Sequence, residues 1–139
     1  MLSRNKIELV KHSYKAVTAV RPELYEDFYT RLFVTAPDIR ALFPGTARAQ
    51  AVKLEAMMQL ALSSLDTPEM LTPLLRKLGH DHATYGVEEK HYIVLGEVLL
   101  DTLAAQAGDL WTAEVSAAWF AVVNFIAATM IDGARAMAA

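Results

Sequence analysis

The stretch LTPLLRKLGHDHATYGV, residues 71–87, combines a helical apolar stripe with two histidines. Its leucines recur at intervals of three and four residues, the spacing that places side chains on one face of an α-helix. The next step of four reaches His82, whereas His80 lies about 200° around the helix and points away from that face. We therefore predict a helix that ends near Asp81 or His82, with His82 at the end of its buried face. The stripe consists of Leu71, Leu75 and Leu78.

A single histidine on an apolar face has two explanations. Periodicity alone favours a hydrogen-bonded core residue, and the alternative is a metal ligand. No histidine or glutamate stands three or four residues from His82, so no neighbouring ligand on its helix face would complete a zinc or di-iron site. A single neutral imidazole does suit an iron whose in-plane ligands come from a haem.

The amino-acid composition is typical of a single globular domain. The chain has 139 residues, of which 54% are hydrophobic and 21% charged, and its formal net charge is −3. This balance excludes disorder and gives no reason to expect nucleic acid or an anionic membrane as a partner. Because the sequence has no cysteine, it also excludes a disulfide framework, a thiol nucleophile and a thiolate metal site.

Prolines, glycines and capping residues divide the sequence into about seven helices with short loops and no convincing strand. The predicted helices run from after Ser3 to about Val20, from Pro22 to about Thr35, from Pro37 to about Phe43, from Thr46 to about Ser64, from Asp66 to about His82, from Glu88 or Glu89 to about Gln106, and onward from Thr112. We predict an all-α fold in which residues 1–139 form a single domain.

Neither a membrane span nor a leader is expected from the sequence. The uncharged run between Glu114 and Asp132 is shorter than the ~20 apolar residues that a span needs, so we interpret it as a buried helix. No apolar stretch follows the charged N-terminal residues as it would in a signal peptide. We therefore expect a cytoplasmic protein with no membrane partner.

Two polar residues on apolar helical stripes have open interpretations. Tyr25, Tyr29 and Phe33 follow one another at intervals of four, and Tyr29 stands in the middle, where its hydroxyl needs a partner. It is either a core tyrosine or a hydrogen-bond donor in a pocket. Gln50 shares a stripe with Leu54 and is either a pocket residue or a surface residue near the start of its helix.

Several stretches of the chain resemble the bacterial globins, and the most similar group is the flavohaemoglobin-like single-domain globins. They are DFYTRLF (27–33), IRALFP (39–44), AQAVKL (49–54), HATYGV (82–87), HYIVLGE (91–97) and AW (118–119). The resemblance covers nearly the whole chain. It implies a globin fold, a three-over-three helical sandwich around a haem b.

Residue by residue, the resemblance implies that His82 is the proximal iron ligand and that Phe43 packs on the haem face. Tyr29 and Gln50 are the implied distal hydrogen-bond donors to a bound ligand. The implied apolar walls and further pocket residues are Phe28, Leu54, Val87, Tyr92, Leu95 and Leu99, with Tyr92 on the proximal side. Lys53 has two interpretations, a contact to a haem propionate or an ordinary solvated lysine.

Two positions depart from the flavohaemoglobin pattern. The last helix of that family holds a glutamate that hydrogen-bonds the proximal histidine and tyrosine; by register from Trp119 this position is Ala134, and Asp132 is out of register by two. The tyrosine of that helix is Val123 here. Because a hydrogen-bonded carboxylate strengthens a histidine ligand, peroxidase chemistry is a weaker expectation than gas binding.

The resemblance implies haem-dependent binding of O₂, NO and CO with high O₂ affinity, as in a bacterial haemoglobin that serves oxygen binding or transport. The alternative is NO dioxygenation. We expect no flavin or nicotinamide domain after Arg135, so that activity would need an external reductase, and whether the protein is an enzyme stays open. The remaining alternatives are an all-α interaction module without a cofactor and a gas sensor, which would need a partner protein for its output.

Overall fold

The computed structural model describes residues 2–138, and every regular element in that range is helical. Six α-helices and two short 3₁₀ helices follow one another, which confirms the all-α prediction. The α-helices are α1 (Arg4–Val20), α2 (Leu24–Thr35), α3 (Ala47–Ser63), α4 (Pro68–Thr84), α5 (Glu89–Ala107) and α6 (Ala113–Ala138). The 3₁₀ helices are Pro37–Leu42 and Gly108–Leu110.

Side-chain hydroxyls fix the start of three helices where the sequence predicted them. The hydroxyls of Ser3, Thr46 and Thr112 each accept a backbone N–H three residues further on, over 3.1–3.2 Å. Each bond satisfies an N–H group that has no partner within the helix. Helices α1, α3 and α6 therefore begin at the residue after each cap.

Two predicted helix boundaries and one predicted helix type differ from the structure. Helix α2 begins at Leu24 rather than at Pro22, because the Leu24 N–H donates to the Arg21 carbonyl and closes a turn there. The short third helix is a 3₁₀ helix, the geometry that proteins use for pieces of one or two turns. Helix α4 extends to Thr84 and ends ahead of Gly86, whose φ of +92° favours glycine.

Helices α4 and α6 cross in backbone contact at two glycines. A Cβ atom at Gly79 would lie 1.8 Å from the Met130 carbonyl oxygen, and one at Gly133 would lie 2.0 Å from the Arg76 carbonyl oxygen. Any side chain at either position would push the helices apart. Since His82 stands one turn after Gly79, this crossing fixes the end of α4 that carries the histidine.

The sequence predicted that α6 is a buried helix, but only one face of α6 lies in the core, since 33% of its most apolar window is buried. By length and composition alone, residues Ala113–Ala136 would suffice to cross a membrane. However, α6 packs against α1, α4 and α5, and it buries Trp119 and Val122 almost completely. Helix α2 packs against α5 and α3 in turn. These contacts agree with the three-over-three sandwich that the resemblance implies.

Candidate functional site

His82 is held at the end of α4 by its own backbone. Its Nδ1 lies 2.6 Å from the Leu78 carbonyl oxygen, and the ring is half-buried. Because a carbonyl oxygen only accepts hydrogen bonds, Nδ1 carries the proton of that bond. In the neutral ring, Nε2 then presents a lone pair, which is the arrangement that a metal-ligating histidine requires. His80 is exposed and points elsewhere, beside Asp81.

An aromatic cluster surrounds the Tyr29 ring on α2. The ring centroid of Tyr29 lies 4.9 Å from Phe28, 5.8 Å from Phe33 and 5.4 Å from Phe43, with edge-on contacts to Phe28 and Phe43. The Arg40 guanidinium lies over the Phe33 ring at 5.0 Å. The structure therefore brings together three of the residues that the resemblance implies for the pocket, namely Phe28, Tyr29 and Phe43.

The Tyr29 side chain is 3% exposed, and its hydroxyl makes no hydrogen bond within the described part of the chain. Burial raises the pKa of this phenol to about 12, so it stays neutral and keeps its proton at ordinary pH. The hydroxyl is therefore a donor without an acceptor in the described part of the chain, and its oxygen is not fully closed off from its surroundings. It is available to an acceptor that comes from outside the protein.

Gln50 and Lys53 lie on α3, where the structure leaves their roles open. The Gln50 amide donates from Nε2 to the Pro44 carbonyl at 2.6 Å, so one of its two amide protons is already used by the preceding loop. The Gln50 side chain is half-buried, while Lys53 is exposed. The implied roles of both residues stay predictions.

Tyr92 on α5 carries the one buried side-chain polar atom without a hydrogen-bond partner among residues 2–138, its hydroxyl oxygen. Burial raises the pKa of this phenol as well. Tyr92 also lines a cavity of about 430 Å³ together with Val87, Ile131 and Ala134. An orphaned polar atom beside a short alanine side chain indicates that a group beyond these residues completes the site.

The remaining candidate pocket residues are apolar and incompletely covered. Leu54 on α3 and Leu95 and Leu99 on α5 are half-buried and pack against the core. Val87, in the loop before α5, is also half-buried. Burying apolar surface is favourable, so side chains that the fold covers only in part suit contact with a flat apolar ring.

The donor set fits a haem better than a free metal ion. Within residues 2–138 no three histidine, aspartate or glutamate side chains are grouped to hold a metal. A metal at His82 would therefore need its other ligands from a cofactor. The free Nε2 of His82, the orphaned hydroxyl of Tyr92 and the uncovered leucines are consistent with such a group.

Sequence reasoning missed three features of this region. The Leu78 carbonyl, as a backbone group, gives no sequence signal. Arg40 contacts Phe33 and also donates to the carbonyls of Phe43 and Gly45, which no motif indicated. Gly79 did leave a signal, because a glycine inside a predicted helix usually has a packing reason.

Comparisons with known proteins agree with this geometry. The Globin family model matches residues 26–130. The chain is 29% identical to a flavohemoprotein of Vibrio cholerae over 95% of its length, and 30% identical to one of Bordetella parapertussis over 99%. It spans about a third of those relatives, 34% and 35% of their lengths.

Two solved structures share the fold. One is an engineered carbene transferase made from a putative nitric oxide dioxygenase of Rhodothermus marinus, with a TM-score of 0.85, 26% identity, and coverage of 99% of this chain and 96% of that one. The other is a hexacoordinated heme protein from an anhydrobiotic tardigrade, with a TM-score of 0.83, 18% identity and 96% coverage of both chains. With a family match over most of its length and an all-helical fold that superimposes on these structures, the chain belongs to the globin family.

Proposed function

We propose that this globin binds O₂ with high affinity at a haem b whose iron is ligated by His82, and that NO and CO bind at the same place. Globin membership supports a haem cofactor and gas binding in general. The histidine ligand, the haem type and the preference for O₂ are our proposal. Because the chain has no cysteine, it offers no thioether attachment, which favours a non-covalently held haem b.

The observation that carries the proposal is the geometry of His82. The hydrogen bond to the Leu78 carbonyl fixes both the ring orientation and the tautomer. A fixed ring loses little freedom when its Nε2 binds a metal, and the bond makes that nitrogen a better donor. When bound, a haem supplies an iron that takes up diatomic gases.

The other side chains would hold the flat ring and exclude water. Leu95 and Leu99 would contact it from α5, Val87 from the preceding loop and Leu54 from α3. Phe43 stands between the 3₁₀ helix and α3, and it is braced by Tyr29 and Phe33 at ring distances of 5.4 and 5.8 Å. Lys53 is exposed on α3 and would meet a propionate at the solvent edge.

Tyr29 would set the preference for O₂. Its neutral hydroxyl lacks an acceptor and would donate to a gas ligand that carries partial negative charge, as O₂ does more than CO. A hydrogen bond to a charged partner contributes roughly 1.5–3 kcal/mol, and each 1.4 kcal/mol is about tenfold in affinity. Gln50 would add a second donor if its amide turned from the Pro44 carbonyl.

The histidine role is tested by haem uptake. We expect His82→Ala to abolish normal haem binding in an absorbance titration and imidazole to restore the spectrum in part. His80→Ala is the matched control, because that histidine lies two residues away and is exposed. Equal haem affinity of the two variants would refute the assignment of His82.

The Tyr29 role is tested by gas release. Tyr29→Phe is expected to speed O₂ release about tenfold or more and to change CO release much less. Tyr25→Phe removes a hydroxyl one turn away that is already paired with Tyr14, so it controls for the loss of any buried phenol on α2. If Tyr29→Phe releases O₂ at the unchanged rate, Tyr29 is not the donor.

NO dioxygenation with an external reductase is the second candidate. It is favoured by the similarity to flavohemoproteins and to the Rhodothermus marinus protein described as a putative nitric oxide dioxygenase. Slow O₂ release would suit it, since NO must arrive while O₂ is held. Repeated NO consumption with an added reductase, faster than that of an ordinary O₂ carrier, would support this activity; one turnover only would refute it.

A further inference from the structure

A pair of hydrogen-bonded phenols links α1 and α2 near the candidate gas site, and gas binding gives it no role. The hydroxyl oxygens of Tyr14 and Tyr25 lie 2.6 Å apart. Tyr25 is 3% exposed, whereas Tyr14 is half-buried. The pair therefore joins an interior phenol to one that reaches the surface.

Tyr25 lies near the candidate gas site, and Tyr14 lies at a surface cavity. At the inner end, Tyr25 stands one helical turn before Tyr29 on α2, a spacing that puts both side chains on the same face of the helix, and, after the larger effect of burial, Tyr29 is among the groups whose charge raises the pKa of Tyr25. At the outer end, Tyr14 lines a cavity of about 280 Å³ with Lys11, Gln59 and Ser63. Three phenols thus lie in sequence between the candidate gas site and a surface cavity.

We propose that Tyr25 and Tyr14 form an oxidation relay that carries an oxidising equivalent from the gas site, past the Tyr29 ring, to the surface cavity. The proposal rests on haem binding as proposed above. The oxidant is hydrogen peroxide reacting at the haem, and the final reductant is a small hydrogen donor such as ascorbate or a thiol. The relay would protect the pocket from its own oxidation.

Hydrogen peroxide takes up two electrons and two protons to give two waters, so the relay runs twice for each peroxide and uses two molecules of the hydrogen donor. Each passage balances in electrons and protons. Tyr25 gives one electron to the oxidised site; its proton shifts to the Tyr14 oxygen, and the original Tyr14 proton leaves through the cavity. Tyr14 then passes one hydrogen atom to the Tyr25 radical along the 2.6 Å hydrogen bond, which restores Tyr25 and leaves a Tyr14 radical. The external donor returns one hydrogen atom to Tyr14.

The electrostatics of the pair agree with this direction of proton loss. Burial raises the pKa of both phenols, so each is neutral at ordinary pH and must release a proton when it is oxidised. The shared hydrogen bond acts oppositely on the two groups: it lowers the pKa of Tyr14 and raises the pKa of Tyr25. The proton of the pair therefore leaves from the outer member.

The test is radical trapping on the haem-loaded protein. Stoichiometric hydrogen peroxide is added to the ferric protein with a nitroso spin trap, and the adducts are located by peptide mass mapping. We expect a Tyr14 adduct in the wild-type protein and loss of most of it in Tyr25→Phe. Tyr85, which is exposed and 6.4 Å from His82 in ring distance, is the internal control, and its adduct should be the same in both proteins.

A second measurement shows that Tyr14 stays reactive in the variant. A photogenerated oxidant in bulk solution should label Tyr14 equally in wild type and Tyr25→Phe, so that a lost peroxide adduct reflects the relay and not folding. An unchanged Tyr14 adduct in Tyr25→Phe, or none in the wild type, would overturn the relay and leave gas binding intact. A chain that takes up no haem would overturn both proposals, and the absorbance titration identifies that outcome separately.

Discussion

The approach of α4 to α6 makes a sharp prediction about Gly79. In Gly79→Ala, the new Cβ would lie 1.8 Å from the Met130 carbonyl oxygen and 2.5 Å from its carbon. Cβ atoms essentially never come within 3.0 Å of another heavy atom, so the helices must separate by more than 1 Å. Backbone meets backbone here, and no side-chain rotation can relieve the contact.

The stability change follows from two opposing contributions. Alanine is favoured over glycine inside a helix by about 1 kcal/mol, whereas overpacking a tight interface costs about 1–3 kcal/mol and occasionally more. Because the contact involves backbone atoms, we expect the cost to prevail and the free energy of unfolding to fall by about 2 kcal/mol. The same displacement moves Leu78 and His82, so haem affinity should fall as well.

Urea unfolding measures the first effect and absorbance titration the second. Gly96→Ala is the matched control, because Gly96 also lies inside a helix but its new Cβ would meet only the Val123 Cγ1 atom, at 3.3 Å. A side-chain methyl group can give by the few tenths of an ångström required, so we expect a change within about 1 kcal/mol. If Gly79→Ala were as stable as Gly96→Ala, the close crossing of α4 and α6 would be wrong.

Two further predictions concern buried hydroxyls. Burial raises the pKa of Tyr29 from its ordinary 10.0 to about 12, so the stabilising contribution of the neutral phenol is complete below pH 10 and is lost as the pH rises toward 12. Between pH 9 and 11, the free energy of unfolding of the wild type, measured in urea, should therefore fall by about 1 kcal/mol more than that of Tyr29→Phe. Equal losses in the two proteins over this pH range would contradict the prediction. The Trp119 indole N–H donates to the Ser13 hydroxyl at 2.9 Å, and both residues are buried, so Ser13→Ala should cost about 1–3 kcal/mol. Thr18→Ala on the same helix removes only a hydroxyl bonded to backbone and should be nearly neutral by the same assay; equal losses in both variants would refute a special role for the indole bond.

The helices were predictable because their boundaries depend on local chemistry. Ser3, Thr46 and Thr112 satisfy nearby N–H groups whatever the rest of the chain does. The histidine at the end of a stripe was equally visible, since the stripe follows from helical periodicity. Pro22 led to a wrong start for α2 because its fixed φ suits a loop turn as well as the first residue of a helix.

The parts of the site that depend on pairs of distant residues were not predictable. Nothing in the spacing of Tyr14 and Tyr25 shows that their hydroxyls meet, because that contact depends on how α1 packs on α2. Likewise, the Gln50 stripe gave no indication that its amide would turn back to the Pro44 carbonyl. The resemblance supplied a role for Gln50 and none for Tyr14 or Tyr25, and only packing shows which of their polar atoms are already hydrogen-bonded.

Whether a polar atom already has a hydrogen-bond partner distinguishes the candidate site from the core. The hydroxyl of Tyr25 is hydrogen-bonded to that of Tyr14, so this buried phenol has its partner within the core. The hydroxyl of Tyr92 is buried and finds no acceptor within residues 2–138. The hydroxyl of Tyr29 also makes no hydrogen bond there, but its oxygen is not fully buried. A buried polar group left unpaired costs about 1–3 kcal/mol. The unpaired Tyr92 hydroxyl therefore contributes nothing to the stability of the bare fold, and together with the free Nε2 of His82 it marks the positions at which our proposal places a bound group.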